Sequence, residues 1–388
     1  MMKKLPFILI AVIIASIFLN PFIPLTVKQV IFACSLTLKS IVLFCLPFII
    51  FGLLFKTFVK LAGHAASVIL LIFGCLCTSN FINTFVTHYV GELLYHVDLN
   101  FGQIPTNDNA LQPYFLFVLP NFIKNEFALF GGIASGLLMA FYNKTLALKL
   151  AHNVDIFTQK LFSFISVIIP LFIAGFVIKC ASDGILVSII KSYSQILLIF
   201  VSYTTIYTLL FYFVVNKCVM RSALTCLKNM FPALITAFST ISSAVTMPVT
   251  IMCVEKNVKN KELASSVVST TVNIHLLGDC LSIPLLAYAL LKHFGMPEPS
   301  LSSYFIFTIF FVIAKFSVAA VPAGGIIIMA PILEKYLGFT PEMSTLIISI
   351  YVIFDPFVTS FNVMGNGALA KLIDNLSAKF TKSVPVER

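Results

Sequence analysis

Tryptophan is absent from this chain, and charged side chains are scarce, at 10% of 388 residues, where soluble domains carry about 25%. With 59% hydrophobic residues and a mean hydropathy of +1.03, this scarcity excludes an ordinary soluble domain and points to a lipid solvent. The missing tryptophan leaves any belt at the membrane surface to tyrosine and to the 40 phenylalanines. Catalytic patterns are missing too: no Ser-His-Asp order, no cluster with metal-ligand spacing and no glycine-rich phosphate loop. An enzyme is therefore not expected, and neither is a cofactor. The nine cysteines lie mostly in apolar runs, and Cys75-Leu76-Cys77 is too tight for a C-x-x-C motif, so they read as small buried hydrophobes. The net charge is +10, but the basic residues fall in scattered loops instead of one stripe. That pattern excludes a nucleic-acid partner and matches the positive-inside rule.

Such a length has room for several spans of about 20 residues, each matching a hydrocarbon core of about 30 Å. Eight crossings are expected. They run from about Leu5 to Leu25, Val30 to Phe55, Ala66 to Tyr95 and Tyr114 to Tyr142, then to Ile178, Ile185 to Val215, Ser265 to Leu291 and Met343 to Ile373. The first follows Lys3 and Lys4 and has no small-residue cleavage site behind it, so it reads as an anchor and not a signal peptide. The loop from Asp98 to Gln112 holds no Lys or Arg and reads as external. Lys144, Lys149 and Lys160, then Lys217, Arg221 and Lys228, and finally Lys379, Lys382 and Arg388 mark the cytoplasm, which puts both termini there.

Two short polar breaks interrupt what remains: Ser242-Ser243-Ala244-Val245-Thr246-Met247-Pro248, and Ala320-Val321-Pro322-Ala323-Gly324-Gly325. Each lies between apolar half-segments too short to cross a bilayer, within Phe231 to Lys256 and within Ser303 to Tyr336. Non-helical backbone survives in hydrocarbon only where protein covers it or where it lines a wet cavity. A matched pair of such breaks is the best sequence pointer to a secondary transporter's binding site. The flanking charges bring the first hairpin in from the cytoplasmic side, and the outward and inward crossings on either side of the second bring it in from outside. That is an inverted repeat with its site near the midplane. The last span adds a polar stripe, since Asp355, Thr359, Asn362 and Asn366 are spaced four, three and four residues apart on one helical face. A carboxylate at mid-bilayer costs about 2.5–3.5 kcal/mol even on the lenient insertion scale, so Asp355 is a functional candidate. Lys315 lies in an apolar run of the second hairpin and is expected to snorkel or to find a carboxylate partner.

These residues resemble the dicarboxylate/amino acid:cation symporters, which include the glutamate/aspartate transporters. The likeness is concentrated in the last 160 residues: the two tips, Asn273-Ile274-His275 in the seventh span, and Asp355 to Asn366 in the eighth. It implies an all-α integral membrane protein of eight transmembrane helices plus two re-entrant hairpins, working as an elevator-type transporter and as a homotrimer. Residues 1–230 would be mainly scaffold and trimerisation helices, some of them joining the transport domain. Residues 231–388 would be the core of that domain. By the same resemblance Asp355 accepts a substrate ammonium and Asn362 holds the α-carboxylate end. Ser242, Ser243, Pro322, Ala323, Gly324 and Thr359 complete the substrate set.

The departures from that pattern carry information of their own. The acidic-substrate carriers have an arginine where this chain has Val358, and the arginine sometimes found before the first tip serine is replaced by Ile241. A second buried carboxylate would go unpaired, so a small neutral amino acid with its side chain against Val358 is expected. The family's sodium-site carboxylates are replaced by His275 and Asn366. Imidazole is a poor ligand for so hard an ion, but Asn273, Asn362 and Asn366 could supply a reduced sodium site. Asp279 lies four residues after His275, and the two form a candidate pair, either static or relaying protons. The expected function is thus symport of small neutral amino acids driven by sodium or protons across a plasma membrane, with a bacterial inner membrane expected from the compact chain. The alternatives are an acidic-substrate carrier that recruits a cation such as Lys315, a channel of the same fold, and a membrane sensor.

Overall fold

The computed structural model describes residues 5–61, 66–96, 111–120, 122–184, 186–318 and 323–382. Thirteen α-helices and no strand occur among them. In the first half these are α1 (Leu5–Leu19), α2 (Leu25–Leu61), α3 (Ala66–His96), α4 (Asn125–Tyr142), α5 (Lys144–Ser182) and α6 (Leu186–Val215). There follow α7 (Met220–Thr240), α8 (Ser243–Val254), α9 (Lys261–Thr271), α10 (Leu277–His293), α11 (Leu301–Lys315), α12 (Gly324–Leu337) and α13 (Pro341–Lys382). Pro322, with Ala320 and Val321 of the second break, lies outside the described residues, as do Lys3, Lys4, residues 97–110 of the external loop and Arg388.

Among the described residues, four helical stretches are long and apolar enough to cross a bilayer: Leu25–Val59, Lys144–Ser182, Ser194–Val215 and Pro341–Ser377. The other four expected crossings differ for separate reasons. At 15 residues α1 is about 22 Å long, short of the roughly 30 Å hydrocarbon core. Helix α3 is long enough but buries Ser79, Asn80, Asn83, Thr84, Thr87 and His88, so its polarity faces protein. The fourth begins at Asn125 instead of Tyr114. Pro113 and Pro120 hold the preceding segment out of helix. The seventh is not continuous. It unwinds over residues 272–276, between α9 and α10.

Helix α2 packs against α4 and α5, with α1 along α5, while α3 and α6 turn to the C-terminal half. There α3 lies on α10 and α11, and α13 runs through the middle, touching α6, α7, α8, α9, α10 and α12. A polar tie joins the two groups among the described residues. Lys39 of α2 donates to the carbonyl of Pro341, and to the Thr345 hydroxyl at 2.7 Å, at the start of α13.

The closest backbone approach lies between α10 and α13. Gly278 packs on the backbone of Val358, and a Cβ added there would overlap the Val358 carbonyl oxygen. Backbone atoms have no rotamer by which to retreat, so the two helices would have to separate. Gly278→Ala is therefore expected to cost at least about 1–3 kcal/mol, read as a lower thermal midpoint in detergent. An unchanged midpoint would contradict this packing.

Candidate functional site

Both hairpins turn through left-handed backbone. In the first, α7 ends at Thr240 and Ile241 takes φ 49° and ψ 37°, a conformation that β-branched residues resist at a cost of order 1–3 kcal/mol. Ser242 then caps α8, its side chain accepting from the Val245 amide at 3.4 Å. Thr246 reaches back to the Ser242 carbonyl (2.9 Å) and to the Thr240 hydroxyl (2.9 Å), so this tip is closed by its own residues. The second tip is held differently. Ala323, at φ 59°, precedes α12, and its amide donates to Asp355 Oδ2 of α13 at 2.9 Å. A carboxylate at a helix N-terminus is favoured by the helix dipole.

The third break, residues 272–276, is held by asparagines. Asn80 of α3 donates to the Ile274 carbonyl at 2.9 Å, and Asn366 of α13 donates to the His275 carbonyl at 3.2 Å. Asn366 also accepts from the Thr271 hydroxyl at 3.1 Å. The carbonyls freed by unwinding thus find donors inside the protein, as a non-aqueous surrounding requires.

Between the tips lies a cavity lined by Ser242 and Ser243, by Gly324 and Gly325, by Asn273 and Asp279, and by Tyr351, Asp355, Thr359 and Asn362 of α13. About 30 Å³ of it is open to the centre of a water-sized sphere, room for about two waters. An organic solute enters only if a wall moves. Two carboxylates face this space. Asp355 takes the Ala323 amide and, at 3.1 Å, the Thr359 hydroxyl. It makes no ion pair among the described residues. Asp279 is 2% exposed, and its Oδ2 lies 2.8 Å from the ammonium of Lys315, itself fully buried. Its Oδ1 accepts from Tyr351 at 2.7 Å and from Asn362 at 3.2 Å. Breaking such a pair by removing one partner costs about 3–5 kcal/mol.

The model of the sodium:dicarboxylate symporter family matches residues 5–376. The chain belongs to this family. Its relatives include the excitatory amino acid transporter 3 of Mus musculus, 31% identical over 179 residues, which is 46% of this chain and 33% of the relative. Excitatory amino acid transporter 1 of Homo sapiens is 25% identical over 217 residues, 55% of this chain and 39% of the relative. The matches thus span a third to two fifths of those relatives' length.

Within this symporter-family chain, most of the expected substrate residues converge. Ser242, Ser243, Gly324, Asp355, Thr359 and Asn362 line one cavity, and Ala323 reaches it through Asp355. Val358 does not. It is fully buried in the apolar core because Gly278 lets α10 sit directly over it, and it is not among the residues that line the cavity. The expected His275–Asp279 pair is also corrected. With the helix unwound, four-residue spacing no longer makes them neighbours. His275 Nε2 meets Ser79 of α3 at 2.9 Å, while Asp279 is taken by Lys315.

The three asparagines assigned to sodium do not present three free oxygens. Asn362 Oδ1 accepts from the Asp279 amide at 3.2 Å and Asn366 Oδ1 from Thr271, while Asn273 Oδ1 is buried with no partner among the described residues. The sequence reading missed Tyr351, although it lies one turn before Asp355 and extends the same stripe, and it missed the asparagine clasp of Asn80.

Those contacts separate two asparagines that look alike in sequence. Asn366→Ala strands the His275 carbonyl and the Thr271 hydroxyl and is expected to cost about 1–3 kcal/mol. Asn273→Ala removes an oxygen that accepts nothing and should stay within about 0.5 kcal/mol. Chemical denaturation or thermal midpoints in detergent would measure both, and equal losses would contradict the clasp.

Proposed function

We propose that this chain is a cation-coupled carrier of small amino acids, with Asp355 receiving the substrate's ammonium group. The observation that carries this reading is a buried carboxylate with two neutral donors and no counter-cation among the described residues, facing a cavity between two hairpin tips. An ammonium group supplies the charge it lacks. The substrate's carboxylate lies toward Ser242 and Ser243, where α8 begins and helix amides favour an anion.

Neutral amino acids are the preferred class. No arginine is among the described residues lining the cavity, and the nearby Lys315 is already neutralised by Asp279. The support for neutrality is therefore the charge balance of the cavity and no longer Val358. The second reading, an acidic substrate, is favoured by the relatives' name and requires Lys315 to leave Asp279 for the substrate's second carboxylate. The carrier sits in a plasma membrane with both termini cytoplasmic and assembles as a homotrimer. Its transport domain, centred on residues 231–388, moves against helices drawn from residues 1–230. Sodium or protons drive the cycle. Ion and substrate each raise the other's affinity by the same factor.

Counterflow in proteoliposomes tests this, with labelled serine, alanine, threonine and aspartate and with sodium and pH varied independently. Saturable exchange of the neutral amino acids is expected. Asp355→Asn should weaken binding by about 1.5–3 kcal/mol, or roughly 10- to 150-fold. Exchange of aspartate alone would replace the neutral reading with the acidic one. Exchange of none would remove the carrier reading.

A further inference from the structure

Asp279 is the meeting point of four helices. It stands in the first turn of α10. Lys315 comes to it from the end of α11, and Tyr351 and Asn362 come from α13. Gly325 of α12 packs so closely on its Oδ2 that a Cβ there would collide with the oxygen. Both arms of the second hairpin therefore converge on one carboxylate that lines the cavity. Among the described residues the hairpin also holds the core through the Ala323 amide on Asp355 and through the Tyr304 hydroxyl on the Thr84 carbonyl of α3, at 2.7 Å. Lys315 is fully buried, and besides Asp279 its ammonium lies 4.6 Å from the Phe311 ring centre, on the hairpin itself.

The cavity admits a solute only when a wall moves. Lifting the second hairpin carries Lys315 away and leaves Asp279 charged and without a cation. Closing the hairpin over that carboxylate again is unfavourable unless a cation, Lys315 or another, comes with it. In the closed state the ammonium already does what a bound monovalent ion would do.

Resting on the carrier reading above, we propose that Lys315 is a tethered cation that takes the place of one coupling ion at Asp279, holding the second hairpin shut on the empty carrier. The empty carrier then closes and crosses without loading a cation at this point. Exchange, which needs only the loaded carrier, depends on Lys315 less than net uptake, which needs the empty return. Lys315 acts here as a positioning residue, since it reaches the substrate through the hairpin it closes.

The test compares wild type, Lys315→Ala and the double variant Lys315→Met/Asp279→Asn. Propylammonium serves as the probe because it replaces the atoms that Lys315→Ala removes. In detergent with a large organic cation as the only other salt, propylammonium should raise the thermal midpoint of Lys315→Ala and leave wild type and the double variant unchanged. If Lys315→Ala holds its fold only while propylammonium is present, that is the same result.

In proteoliposomes Lys315→Ala should lower net uptake at least tenfold more than exchange. Equal loss of both transport modes, with no propylammonium effect on the midpoint, would overturn the proposal and leave Lys315 a purely structural partner. If wild type exchanges no amino acid, the carrier reading fails separately. The midpoint measurement then still decides whether Asp279 accepts a free cation in place of Lys315.

Discussion

A carboxylate kept from water must be answered by a cation and by donors, and in this molecule the answer to Asp279 organises the whole C-terminal half. Its two oxygens take an ammonium from α11, a phenol and an amide from α13, and the close approach of Gly325 from α12. Satisfying one charge therefore fixes where the second hairpin stands relative to the cavity. The same demand, made by backbone carbonyls instead of a charge, explains the clasp of Asn80 and Asn366 on the break before α10. The polar atoms of this membrane helix bundle are distributed accordingly. They cluster where helix stops or where charge is buried, and apolar packing fills the rest.

What could be read from the sequence, and what could not, follows from the same physics. The hairpin breaks were legible because Ser, Pro and paired Gly interrupt apolar runs, and the structure stops α7 and starts α12 within a residue or two of them. The stripe on α13 was legible because helical spacing holds through residues 355–362. For Lys315 the sequence left snorkelling and a carboxylate partner both open, and the structure supplies the partner, Asp279. The break at 272–276 was not legible. Val272-Asn273-Ile274-His275-Leu276 holds no Gly or Pro, and the unwinding is sustained by donors more than 80 residues away in sequence. Reading that stretch as continuous helix produced the mistaken His275–Asp279 pairing. Val358 failed for a related reason. Its spacing puts it near the stripe, but which neighbour covers it depends on Gly278, on another helix.

The two tips show how differently a broken membrane segment can be stabilised. The first is self-contained. Ser242 caps its own helix, and Thr240 and Thr246 bond across the turn. Opening it would undo local bonds that no arriving solute replaces. At the described residues flanking the second tip, Ala323 and Lys315, the polar anchors lie on other elements, Asp355 and Asp279, and both are carboxylates.

Carboxylates are the groups for which an entering cation or ammonium competes directly. A solute that takes over Asp355 supplies the charge partner that the Ala323 amide only partly provides, so its arrival shifts the balance between open and closed at the second tip more than at the first. A ligand moves a conformational equilibrium only by its differential affinity for the two states. Here that difference is concentrated on α11–α12. On the proposed carrier reading, the left-handed Ile241, strained but locked by its neighbours, would mark the fixed wall of the cavity, and the hairpin carrying Lys315 the wall that moves.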